Sequence, residues 1–207
     1  MSREELKKWA KEKVQGKRWD ILPAIIVASI ITGLSFQIPN GATDANGVAQ
    51  SYTVSLGWIF AFVEVGLAYF MVKFVKGEKT SFNDIFAFTK DFGRDLGVCL
   101  LRDIFVVLWG LLLIIPGVIK AYAYSLVPML LADDKYKDLS ATELLKKSEE
   151  MMNGHKMDYF VLQLSFIGWH ILAIFTLFLL EIWIAPYQKT AEIKFLYDVQ
   201  TDFEKSK

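Results

Sequence analysis

The feature that most constrains this chain is the separation of its charges from its apolar runs. Charged residues gather in four blocks, 1–20, 73–103, 133–158 and 188–207, around apolar stretches at 21–38, 53–75, 98–132 and 159–187. A helix needs about 20 apolar residues to cross about 30 Å of hydrocarbon at about 1.5 Å per residue. All four stretches qualify, and the last two are much too long for one crossing. The pattern predicts an all-α protein, a polytopic membrane helix bundle formed by one integral membrane domain over 1–207.

Composition narrows the function classes. Hydrophobic residues make up 54% of the chain, above the 45–50% or so of a soluble domain. Lys plus Arg and Asp plus Glu number 23 each, so no bulk basic field points to nucleic acid. A lone Cys99 excludes an intrachain disulfide, and with only His155 and His170 a zinc site lacks ligands. No metal or cofactor is expected. Ahead of the first apolar stretch, Glu4, Glu5 and Glu12 mix with the lysines, and no A-x-A follows Phe36. That reads as an uncleaved first span rather than a signal peptide.

Loops rich in Lys and Arg stay cytoplasmic. Residues 1–20 hold seven, 73–102 six, 133–156 five and 188–207 four, whereas 39–52 holds none. Both termini are therefore expected in the cytoplasm, with 39–52 outside. The stretches 98–132 and 159–187 begin and end beside basic segments, so each should cross an even number of times. Pro116-Gly117 offers the exterior turn of the first, because proline ends a helix and glycine permits reversal. In the second the turn falls near Thr176–Leu180 without Gly or Pro, and one long tilted helix is the rival there. The expectation is six spans in three hairpins.

A cytoplasmic amphipathic segment precedes each hairpin. Leu6, Trp9, Ala10 and Val14 share a face in the first, and Phe82, Ile85, Phe86 and Phe92 in the second. The third opens on Ser140-x-x-Glu143, a capping box, and aligns Leu144, Leu145, Ser148, Met151 and Met152. Glycine and then a basic residue close each segment: Gly16-Lys17-Arg18, Gly93-Arg94 and Gly154-His155-Lys156. Lys17, Arg18, Arg94, His155 and Lys156 are thus candidate lipid-headgroup contacts. The recurrence suggests parallel repeats at 4–74, 81–134 and 140–198.

Several strings carry a family resemblance: FVVLWGLLLIIPGVIKAYAY (105–124), Leu131-Ala132-Asp133, MMNGHK (151–156), LSFIGW (164–169) and Pro186-Tyr187. Upstream, Gly77-Glu78-Lys79 and Phe82-x-x-Ile85-Phe86 also fit. From about Arg3 to Val199 the chain resembles the bacterial integral membrane family called domain of unknown function nine-seven-five. The resemblance implies a multi-pass protein of the bacterial cytoplasmic membrane with no established activity, and supplies no catalytic residues. Thr176–Leu180 departs from it where a glycine-containing turn is usual.

Ionisable groups inside apolar spans are expensive and mark candidate sites. Glu64, Lys120, His170 and Glu181 form the candidate intramembrane polar site, with Lys120 expected near the exterior boundary, pairing with Glu181 or sharing a site with His170. Arg102-Asp103 reads as an interfacial anchor or local ion pair. The tryptophans fit aromatic belts or packing, and Met151 and Met152 fit packing. No combination of nucleophile, base and orienting residue is recognisable, so no enzyme is expected. Two functions remain open. The leading one is an accessory, protective or assembly factor acting through helix and lipid contacts, its partners being membrane lipids, another membrane protein or a second copy. The other is a small transporter or lipid-moving protein using Glu64 and the exterior polar residues. A polar cavity reaching Glu64 favours the second, and a dry core around it the first.

Overall fold

The computed structural model describes residues 2–33, 35–43, 49–55, 62–86, 92–176 and 179–206. A capping box opens the first helix, α1 (Arg3–Val14): Ser2 Oγ accepts from the Glu5 amide at 3.3 Å, and the Ser2 amide donates to the Glu5 carboxylate at 2.8 Å. After Gly16, whose φ of 80° is left-handed, α2 runs Arg18–Thr32. Strands β1 (Ser35–Thr43) and β2 (Ala49–Ser55) follow, and α3 (Phe62–Lys76) returns. A 3-10 turn at Phe82–Phe86 leads to α4 (Phe92–Leu112), α5 (Ile114–Ala123) and α6 (Val127–Leu131). Another at Asp134–Tyr136 precedes α7 (Ala141–Met151), α8 (Lys156–Leu164), α9 (Ile167–Phe175) and α10 (Glu181–Lys205).

The described residues are mostly helical, as expected, except for one antiparallel hairpin where the sequence reading placed a loop. Its register runs from Ser35 opposite Ser55 to Pro39 opposite Ser51, with Thr43 opposite Ala49. Ser-Phe-Gln-Ile and Ser-Tyr-Thr-Val alternate polar and apolar residues at period two, a strand signal that the search for spans passed over. Position 44, expected outside, lies beyond the described residues.

Helix α10 organises the core, packing on α1, α2, α3, α8 and α9. Tyr159 of α8 stacks on Phe195 of α10 with ring centroids 5.5 Å apart, and Phe166 meets Tyr187 edge-on at 5.1 Å. Helices α8–α9 and α10 therefore run antiparallel. Phe70, Phe166, Ile21 and Met71 are fully buried, each worth about 1.5–3 kcal/mol of transfer free energy.

Two amphipathic helices depart from expectation. The α7 capping box forms, with Ser140 and Glu143 bonding reciprocally. Its apolar face, Leu144, Leu145, Ser148 and Met151, is buried against protein, and Ser148 Oγ donates to the Ala123 carbonyl at 2.7 Å. Leu6, Ala10 and Val14 of α1 are likewise buried. These faces cover the core instead of meeting lipid, because apolar partners on α10 and on α4 to α6 lie within reach. In the second segment Ile85 is buried while Phe82 and Phe86 stay exposed.

The turn between α4 and α5 falls at Leu113, not at Pro116-Gly117. Leu113 is extended (φ −158°, ψ 133°), which breaks the helix one residue after Leu112. Pro116 then occupies the first turn of α5, where its missing N–H costs no intrahelical bond. Gly117 serves close packing: a Cβ there would lie 2.6 Å from the Gly110 Cα. Gly154 is left-handed like Gly16 (φ 86°), whereas Gly93 lies inside α4 and the left-handed glycine of that region is Gly77 (φ 83°), closing α3. In the turn expected near Thr176–Leu180, 177 and 178 lie outside the described residues.

Among the described residues one helical stretch, Lys156–Phe175, is long and apolar enough to cross a membrane, and Ile115–Leu131 is a shorter apolar one. Helices α2 and α3 have 15 residues each. Exposed apolar side chains run along α4, α5 and α9 and reach two helix tips. Leu111, Leu113 and Ile115 crown α4–α5, and Phe175 and Leu179 crown α9–α10, each at least 66% exposed.

Candidate functional site

Glu64 lies in the first turn of α3, beside the middle of α4. There Arg102 Nη1 donates to Glu64 Oε2 at 2.9 Å, while its Nε donates to Asp103 Oδ1 at 2.8 Å. One guanidinium thus serves two carboxylates, a use suited to its planar fork of donors. The fork ties α3 to α4.

His170, one turn before the end of α9, faces the start of α10. Nδ1 lies 3.2 Å from Glu181 Oε1 and Nε2 lies 2.7 Å from Gln188 Oε1. Gln188 Nε2 donates in turn to Glu192 Oε1 at 3.0 Å, and Lys189 Nζ lies 3.6 Å from Glu192 Oε2. Glu192 is only 7% exposed. A charge held that deep needs such partners.

These groups line one cavity of about 330 Å³ between α2, α3, α9 and α10. Glu64, His170, Glu181, Gln188, Lys189 and Glu192 supply its polar wall, and Ile25, Ala28, Ser29, Leu67 and Ala185 complete it. Three of the four expected site residues therefore meet. Lys120 does not join them: its Nζ bonds both carboxylate oxygens of Glu149 on α7, at 2.7 and 2.9 Å, and sits over the rings of Trp109 and Tyr124. The early turn at Leu113 sends the end of α5 against α7. Sequence reasoning missed Gln188, Lys189 and Glu192. A signal existed, since 181, 185, 188 and 192 share one helical face, and three of them are polar.

The expected lipid-facing cations have varied surroundings. Arg94 Nη2 donates to the carbonyls of Tyr136 and Leu139 at 2.7 and 3.0 Å, fastening α4 to the segment before α7. The Arg18 guanidinium lies 3.9 Å from the centroid of the Trp183 ring. Lys17 lines a second cavity with Asp20, Glu78, Lys79 and Phe82. His155 is the N-cap residue of α8 and Lys156 its first residue, without a side-chain cap bond.

Among the described residues no group of His, Cys, Asp and Glu is arranged to hold a metal ion. Cys99 is buried.

No curated protein matches this chain, and no solved structure does. A family described as "Protein of unknown function (DUF975)" matches residues 1–122 and again 111–202, the two matches overlapping across the α4–α5 hairpin. The chain belongs to that family.

Proposed function

We propose that the protein is a multi-pass protein of the cytoplasmic membrane that accommodates a small polar solute in the cavity between α2, α3, α9 and α10. The observation that carries this reading is the convergence of Glu64, His170, Glu181, Gln188 and Glu192 on one cavity beside helix tips clad in apolar side chains. Polar groups in such a setting cost free energy unless they serve a ligand or one another. The helix pairs α2–α3, α4–α5 and α8/α9–α10 would enter the membrane as three hairpins, giving six passages. The basic blocks, and with them both termini, would remain on the cytoplasmic side. Apolar patches on soluble monomers seldom exceed a few hundred Å², and the exposed Leu111, Ile115 and Phe175 near these turns suit a membrane better than water.

The accessory-factor reading through amphipathic lipid contacts has less support, because the apolar faces of α1 and α7 are buried in protein. Substituted-cysteine labelling in native membranes tests the proposal. In a Cys99→Ser background, Ser29→Cys and Gln188→Cys should react with a water-soluble methanethiosulfonate cation, and Leu111→Cys should not. Silence at both cavity positions would leave the solute-handling reading without support. Labelling of Lys205→Cys from the exterior would break the topology.

A further inference from the structure

Both ring nitrogens of His170 face hydrogen-bond acceptors. Nδ1 meets the Glu181 carboxylate at 3.2 Å and Nε2 meets the Gln188 carbonyl oxygen at 2.7 Å. The Gln188 amide is fixed in that orientation by its own Nε2, which donates to Glu192 at 3.0 Å. Turned over, it would set its oxygen against the Glu192 carboxylate. A neutral imidazole has one N–H and can donate to only one of its two neighbours. With Gln188 held so, the chain Glu181–His170–Gln188–Glu192 is complete when the first two residues share one proton more than a neutral imidazole and a carboxylate hold. That proton sits either on an imidazolium beside a carboxylate, or on a Glu181 carboxyl that donates to Nδ1. These are two microstates of one coupled site.

We propose that the Glu181–His170 pair is a proton-binding site that sets the charge of the cavity and closes its α9–α10 wall. The proposal rests on reading the cavity as a ligand site. The other charged groups facing it are accounted for: Glu64 of α3 is bonded to Arg102 of α4, and Glu192 is balanced by Lys189 on its own helix. From α2 come Ile25, Ala28 and Ser29, none of them ionisable. Loss of the proton shared by Glu181 and His170 would leave the Nδ1 lone pair against a carboxylate, an apposition of two acceptors that forces the side chains apart. Glu181 Oε2 is already buried with no hydrogen-bond partner among the described residues, so the carboxylate has an acceptor to offer an entering donor. With the proton bound, His170 ties α9 to two successive levels of α10; without it, one tie opens.

Nitrogen NMR on histidine-labelled protein in detergent micelles reads the site directly. A His155→Gln background leaves His170 as the sole reporter, since the chain has two histidines. Near neutral pH both ring nitrogens should register a proton, with Nδ1 in the shared-proton range if Glu181 holds part of it. Glu181→Gln provides an amide N–H2 that can donate to Nδ1, so the chain is complete with a neutral imidazole. Nδ1 should then appear bare while the melting temperature stays close to the parent's. A bare Nδ1 in the parent beside an ionised Glu181 carboxylate, read from its side-chain carbon shift, overturns the proposal. Should Glu181→Gln not fold, Gln188→Leu removes the acceptor at Nε2, and the signal of that nitrogen should move away from its hydrogen-bonded position; no difference overturns the proposal equally. The spectra require no solute and no bilayer, so failure of cavity labelling in membranes would count against the functional reading and leave this one standing.

Discussion

Two hairpins of this protein are held together in opposite ways. At α4–α5 the contact is backbone on backbone, Gly117 against Gly110, with apolar side chains exposed around it. At α9–α10 the contact is polar, with His170 bridging Glu181 and Gln188 beside a cavity. Packing of the first kind has no titratable part and one close-packed arrangement. Association of the second kind depends on protons and can exchange its bonds for those of a ligand. Small residues at close crossings and polar side chains between helices are both recognised ways of joining helices, and here each governs one hairpin. The inference is a rigid wedge beside an adjustable one.

The largest expected effect breaks the rigid side. Gly117→Ala places a methyl group 2.6 Å from the Gly110 Cα, and backbone cannot yield as a flexible side chain can. Overpacking typically costs about 1–3 kcal/mol, and this site should fall at the upper end, read as a lower melting temperature in detergent. Gly168→Ala in α9 is the matched control, because nothing lies within 4 Å of the added Cβ. It should be neutral within about 0.5 kcal/mol. Equal losses at both glycines would erase the contrast between the hairpins.

A smaller effect concerns the foot of the rigid hairpin. Lys120 and Glu149 are partly buried, with side-chain exposures of 22% and 39%, and join α5 to α7. Lys120→Met and Glu149→Gln should each cost about 1 kcal/mol, within the range of partly exposed ion pairs. The double replacement should lose less than the sum. Lys120→Met with Glu181→Gln should be additive, as expected of sites with no shared partner. Coupling in the second cycle instead of the first would move Lys120 to the cavity and merge the two regions.

Much of this architecture was legible in the sequence, and the misses have common causes. Period and caps revealed α1 and α7 together with their apolar faces, because Ser2, Ser140 and the residues three positions on form reciprocal bonds. Which surface those faces would meet was not readable, since period reports amphipathicity and not the partner. Glu64, His170 and Glu181 were identifiable as polar groups in apolar surroundings. Lys120 was placed wrongly because Pro116-Gly117 looked like a turn, while one extended residue, Leu113, made it. Gln188 and Glu192 were overlooked because they stand among charged neighbours, where a polar face attracts no notice. Only the fold of α10 against α9 and α3 gives that face a cavity.

The smallest expected effect lies outside both hairpins, at the C-terminal end of α10, and tests whether the acid limb of stability belongs to the cavity. Burial pushes the Glu204 carboxyl upward, but hydrogen bonds from Lys135 and Tyr136, with the attraction of Lys135, outweigh it and hold the group below its ordinary value. The same contact and burial push the Tyr136 phenol above its usual range, so at neutral pH the phenol donates and the carboxylate accepts. A carboxylate depressed on folding stabilises the protein at pH above its unfolded value, about 4.3. That contribution disappears as pH falls through the lower folded value. Glu204 is 30% exposed and Lys135 57%, so screening by water limits the effect to about 0–1 kcal/mol. Glu204→Gln should therefore lower stability by that modest amount at neutral pH and flatten its fall below about pH 4.3, leaving the nitrogen spectrum of His170 unchanged. If Glu204→Gln altered that spectrum, the C-terminal clasp and the cavity would be one electrostatic unit, and the adjustable hairpin would extend the whole length of α10.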